Sequence, residues 1–258
     1  MRKLAKVAKR LHEFLKSLYM SDELKSFLYK YVINKDLMFE GNQEIEFKKL
    51  SDFFNSGINL LDRPDGFCKY EDNVLIIEHF EFDSSRKNSK GSTNRQELFR
   101  ASNKKPSSHK EFEIYHDEIK CDYTIENYVN NAINNLNNHY KKINYYIDSL
   151  KKEKIIANTS NVEILFCIED TTVLGNFNSE NGKPLFLLYC AEFIQAIKPL
   201  TKLDYILCGS SNGSTDFTWF TSVSHIDNYI AKQFSKCDTK IANLTPHTMT
   251  SFVQISKE

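Results

Sequence analysis

The chain has 258 residues, 41% hydrophobic and 13% aromatic, enough apolar mass for a substantial core, which excludes a globally disordered polypeptide. Its 34 Lys and Arg balance 34 Asp and Glu, so no whole-protein field draws it to a polyanion and any such site must be local. No apolar run is long enough to span a bilayer, and the basic start, Met1 to Arg10, leads into no unbroken apolar stretch, so neither a membrane helix nor a signal peptide is expected. Six cysteines, at 68, 121, 167, 190, 208 and 237, form no CxxC pair. Cys167, Cys190 and Cys208 lie in apolar runs and read as buried thiols of a reduced, cytoplasmic protein without disulfides or structural zinc.

Leu4, Val7, Ala8, Leu11, Leu15 and Leu18 recur at spacings of three and four, which predicts an amphipathic helix over 2–20 with a Lys/Arg face. Ser21-Asp22-Glu23 offers an N-cap for a second helix to about Ile33, and Glu44 to Phe54 reads as a third, ending near Gly57. Residues 1–50 are therefore expected to form an N-terminal helical region packed on a core of 51–258. A strand-like piece around Phe67 and the apolar run 74–83 flank the turn-rich Tyr70-Glu71-Asp72-Asn73 and predict a β-hairpin. Residues 84–110 carry eight Lys/Arg against one acid, Glu97, and read as a basic loop. Apolar residues recur at helical spacing over 123–153, predicting one long helix. Val162 to Ile168 reads as a central strand closing on Glu169-Asp170, Pro184 to Ile197 as a buried helix, Tyr205 to Cys208 as a short strand, and 224–234 as an amphipathic piece. Strand–helix alternation in the second half points to an α/β protein with helices packed on a mixed sheet.

The chemistry concentrates in residues 63–83. Asp65, after a turn-prone Pro64, and Glu78, at the end of Val74 to Ile77, are 13 residues apart, a spacing that fits neighbouring strands of a hairpin. Side chains alternate along a strand, so Glu78, Phe80 and Phe82 share one face while His79, Glu81 and Asp83 share the other. Carboxylates brought together in this way are hard oxygen ligands for Mg²⁺ or Mn²⁺, and such a cation activates water and neutralises phosphoryl charge. An acidic solvent face on an edge strand is the competing reading. Elsewhere, the histidines and acids of 109–118 match no metal-ligand spacing, no histidine is positioned beside Cys167 or Cys208, and no phosphate-cradling or nucleophile-elbow motif occurs.

Pro64-Asp65 followed by Val74-Leu-Ile-Ile-Glu78 resembles the PD-(D/E)xK nuclease superfamily over roughly residues 44–83. The resemblance implies a restriction-endonuclease-like mixed β-sheet flanked by helices and Mg²⁺- or Mn²⁺-dependent hydrolysis of DNA, or of RNA. It also implies that Asp65 and Glu78 hold the metal, with Glu46 or Glu44 of the preceding helix assisting. The family's lysine, two residues beyond the second acid, is replaced by Phe80. Lys87, Lys90 or Arg100 reaching back, or His79 acting as base, would fill that role, and Glu81 competes with Glu78 as the second acid. Arg86, Lys87, Lys90, Arg95, Arg100, Lys104 and Lys105 would clamp the nucleic-acid backbone, since such cations displace condensed counterions. The expected partner is thus nucleic acid, with no membrane, and a homo-oligomer is compatible with the sequence. The alternative implied by Phe80 is a nuclease-fold protein without catalysis, serving as a nucleic-acid-binding or protein-interaction module.

Overall fold

The computed structural model describes residues 23–33, 37–84, 115–120, 124–172, 186–211, 216–236 and 248–253. The helix expected over 2–20 and nearly all of the basic loop, including Arg86, Lys87, Lys90, Arg95, Arg100, Lys104 and Lys105, lie outside them. The chain begins with α1 (Glu23–Phe27), which runs on as a π-helix (Leu28–Ile33), then β1 (Leu37–Met38), α2 (Glu44–Ser56), β2 (Ile58–Leu60), β3 (Gly66–Tyr70) and β4 (Asn73–Phe82). It continues with β5 (Tyr115–Lys120), α3 (Ile125–Tyr140), α4 (Ile143–Lys152), β6 (Asn161–Asp170), α5 (Ala191–Ile197), β7 (Tyr205–Ser211), β8 (Asp216–Ser222) and β9 (Thr248–Val253). Seven strands form a mixed sheet in the order β1-β8-β7-β6-β4-β3-β2, while β5 and β9 pair antiparallel by themselves.

β4 is central: it pairs antiparallel with β3 and parallel with β6, and it is buried along most of its length. A strand hydrogen-bonded on both sides and covered on both faces favours apolar residues on both faces, which explains the unbroken Val74 to Ile77 run. The two-residue turn Glu71-Asp72 joins β3 to β4, with Glu71 in the left-handed region at φ 56°. On one face Val74, Ile76, Phe80 and Phe82 of β4 and Ile164, Phe166 and Ile168 of β6 pack with Tyr128, Val129, Leu136, Tyr146 and Leu150 of α3 and α4. On the other, Leu75, Ile77, Leu165, Cys167 and Leu207 pack with Leu24, Phe27, Leu50, Phe53 and Phe54 of α1 and α2. Helices thus cover both faces, giving a three-layer α/β/α arrangement of one central sheet. No helix among the described residues is long and apolar enough to cross a membrane. Cys68, Cys167, Cys190 and Cys208 are buried free thiols, and burial pushes Cys190 up to about 12.

Two local expectations need correction. The helix expected over 123–153 is two helices, because Lys142 N–H bonds back to His139 O, three residues earlier at 3.0 Å, and this tighter closure ends the ladder of α3. Apolar periodicity continues through the break, so spacing alone does not reveal it. In the Pro184–Ile197 region, a 3₁₀ turn (Leu187–Tyr189) precedes the short α5. Cys190 is extended between them, since Ala191 N–H and Tyr189 O both bond the backbone of Phe234 at 2.8 Å. The amphipathic piece near 224–234 is a 3₁₀ helix, Val223–Lys232. At the other ends, Thr124 caps α3, its hydroxyl accepting the Asn127 N–H at 3.0 Å, and α2 stops before Gly57, at φ 103°, as expected.

Candidate functional site

Two opposite strands bring Asp65 and Glu78 together. β3 and β4 pair Gly66 with Ile77, and one further step of that register sets Asp65 opposite Glu78. Asp65 follows a cis Arg63–Pro64 peptide, and its Oδ2 accepts the His79 backbone N–H at 2.6 Å. That bond ties the turn before β3 to the middle of β4.

Glu78 is 5% exposed and points into the layer beneath α3 and α4. Its Oε1 accepts the Tyr146 hydroxyl at 2.5 Å and lies 2.7 Å from His139 Nδ1. A carboxylate can only accept, so this imidazole carries its proton on Nδ1. Glu78 Oε2 is buried with no hydrogen-bond partner. Burial pushes the Tyr146 hydroxyl well above its usual range, reinforced by its bond to Glu78 and by the nearby charge of Asp65. The same hydroxyl therefore senses both acids. Phe80, in the position where lysine is expected, is buried; it stacks on His139 at 4.5 Å between centroids and 15° between planes, and meets Phe166 edge-on.

The remaining residues of the acidic strand face elsewhere. The His79 side chain turns to the α1 side, its ring 5.0 Å from that of Phe27 and its Nε2 3.4 Å from Glu169 Oε2, outside hydrogen-bond alignment. Lys30 Nζ lies 3.3 Å from the other Glu169 oxygen, so Glu169 sits between an imidazole and an ammonium. Glu81 is the register partner of Glu169 and by strand alternation shares this face. His79 therefore reaches Asp65 through its backbone N–H, while its ring and Glu81 belong to the opposite face from Glu78. Glu46 of α2 stands 3.5 Å from His225 and among the α2-side groups, so it does not join the pair either.

Asp170, next to Glu169, turns to the α3 face. Its carboxylate accepts the Tyr128 hydroxyl at 3.0 Å, the Thr172 N–H at 2.9 Å and the Ser210 hydroxyl at 3.4 Å. Burial is the largest influence and raises its carboxyl to about 6. Sequence reasoning missed His139, Tyr146 and Tyr128. The usable signal was tyrosine on the buried stripe of a helix, because a buried hydroxyl needs a hydrogen-bond partner.

Among the described residues no group of three or more His, Cys, Asp or Glu side chains is arranged to hold a metal ion. Mg²⁺ does not require one, since it commonly takes one or two carboxylates and completes its shell with water and substrate phosphate. Glu78, whose Oε2 is buried without a hydrogen-bond partner, and Asp65, one register step beyond the Gly66–Ile77 pair, supply carboxylates of that donor chemistry. No protein-family model, no curated protein and no solved structure matches the chain.

Proposed function

We propose that the chain is a metal-dependent nuclease with a restriction-endonuclease-like core, hydrolysing phosphodiester bonds of DNA or, as the second substrate, RNA. The observation that carries this reading is Glu78: a buried carboxylate opposite Asp65, held through Oε1 and leaving Oε2 without a hydrogen-bond partner. An anionic oxygen buried in that state is costly unless a positive charge meets it, which a cation would supply. The order of α2, the β2–β3–β4 meander, α3 and β6 agrees with the resemblance carried by Pro64-Asp65 and Glu78. Asp65 and Glu78 would hold Mg²⁺ or Mn²⁺, which would acidify a bound water and offset charge on the phosphoryl group. The His79 N–H fixes the Asp65 carboxylate through the bond to Oδ2.

Phe80 favours a second reading. Its ring is built into the core against His139 and Phe166, so no cationic side chain rises from that point of β4. A protein of this kind would bind nucleic acid or another protein without cutting.

The two readings separate in one assay. Plasmid, single-stranded DNA and RNA are incubated with the full chain in Mg²⁺, in Mn²⁺ and in chelator. The nuclease reading expects metal-dependent cutting that Asp65→Ala and Glu78→Ala each abolish. Salt-sensitive binding with no cleavage of any substrate would sink it and leave the non-catalytic module.

A further inference from the structure

We propose that Tyr146 and His139, which meet one oxygen of Glu78 from either side of the break between α3 and α4, are positioning residues for that carboxylate. This inference rests on the reading of Asp65 and Glu78 as cation ligands. His139 lies in the last turn of α3 and Tyr146 in the first turn of α4. The ladder closes at Lys142 and restarts at Ile143, and from either side of that break Tyr146 reaches Glu78 Oε1 at 2.5 Å and His139 reaches it at 2.7 Å.

Two donors on the same oxygen have a specific consequence. They hold the carboxylate through Oε1 and leave Oε2, buried without a hydrogen-bond partner, as the ligating atom. The orientation of the imidazole is itself set: its ring lies flat on Phe80, the residue that occupies the lysine position. Phe80 thus acts as a platform for the group that orients Glu78. Outer-shell partners of this kind change metal affinity by 10–100-fold when removed, whereas a hydrogen bond that only satisfies a buried acid changes stability and leaves affinity alone.

The test is calorimetric titration of the full chain with Mn²⁺, with circular dichroism and a thermal melt confirming that each variant is folded. Glu78→Gln is expected to remove binding. Tyr146→Phe, which keeps the ring, and His139→Leu are each expected to weaken it by about tenfold or more. His139→Asn, whose amide can donate from near the Nδ1 position, is expected to recover most of the loss. Mn²⁺ affinity within about twofold of the parent in folded Tyr146→Phe and His139→Leu, with binding lost in Glu78→Gln, would overturn the positioning role and leave the cation reading intact. No Mn²⁺ binding by the parent, or undiminished binding by Glu78→Gln, overturns both.

Discussion

Asp170→Asn offers a quantitative test of the burial argument. The parent carboxyl is 4% exposed, and burial raises it from an ordinary 3.8 to about 6, against the opposing pull of bonds from Thr172, Tyr128 and Ser210. In the unfolded chain the same group ionises near the ordinary value. Between about pH 4 and pH 6 the folded chain therefore binds more protons than the unfolded chain, and stability falls as pH rises. The contribution is fully present below about pH 4, is lost as pH rises through about 6, and is flat above that. A gap of about 2 units at 1.36 kcal/mol each corresponds to about 3 kcal/mol for complete ionisation, as an order of magnitude. Asparagine removes the charge while keeping an acceptor for the Thr172 N–H, and the Tyr128 hydroxyl can accept from its amide. Urea unfolding of parent and variant is measured from pH 4 to pH 8, and only the difference between them is used, so other titrating groups cancel. The difference should move in favour of the variant by about 3 kcal/mol, which is about 1 M in urea midpoint at a slope of about 3 kcal/mol/M. A difference that stays flat over the range would refute the claim that burial raises the Asp170 carboxyl.

Asp65→Asn retains an oxygen for the His79 N–H, so its urea midpoint should stay close to the parent's while metal-dependent cutting is lost. Asp65→Ala should lose cutting and also about 1–3 kcal/mol of stability, because it orphans that buried donor. Thr124→Ala removes the side-chain cap of α3 and should cost about 1 kcal/mol, read by thermal or chemical unfolding. Phe166→Ala empties a fully buried site beneath Phe80 and should cost about 3–5 kcal/mol; a loss below about 1 kcal/mol would show that the two rings are not packed as described.

Much of the central sheet was legible because it rests on local patterns. The run Val74 to Ile77 and the stretch Val162 to Ile168 read as strands from β-branched and aromatic content, and they are the cores of β4 and β6. The turn within Tyr70 to Asn73 and the stop of α2 near Gly57 followed from turn chemistry. Short edge strands were not legible: β1 has two residues and β2 three, too few for any period to register. The isolated Cys190 was not legible either, since its extended backbone answers to Phe234, more than forty positions away in the chain.

The candidate site divides in the same way. Strand alternation by itself determined that Glu78 and His79 face opposite sides of the sheet, because a side-chain period of two is a property of the backbone. The hairpin spacing likewise set Asp65, in the turn entering β3, across from Glu78 on β4. Only the tertiary structure decided what each face meets. It set Tyr146 and His139 on Glu78, Lys30 and the His79 ring on Glu169, and Glu46 beside His225. Those contacts join positions tens of residues apart, chosen by how helices dock on the sheet. A pattern of apolar spacing fixes which side of a helix is buried, but not the point along its axis where a polar side chain finds its partner.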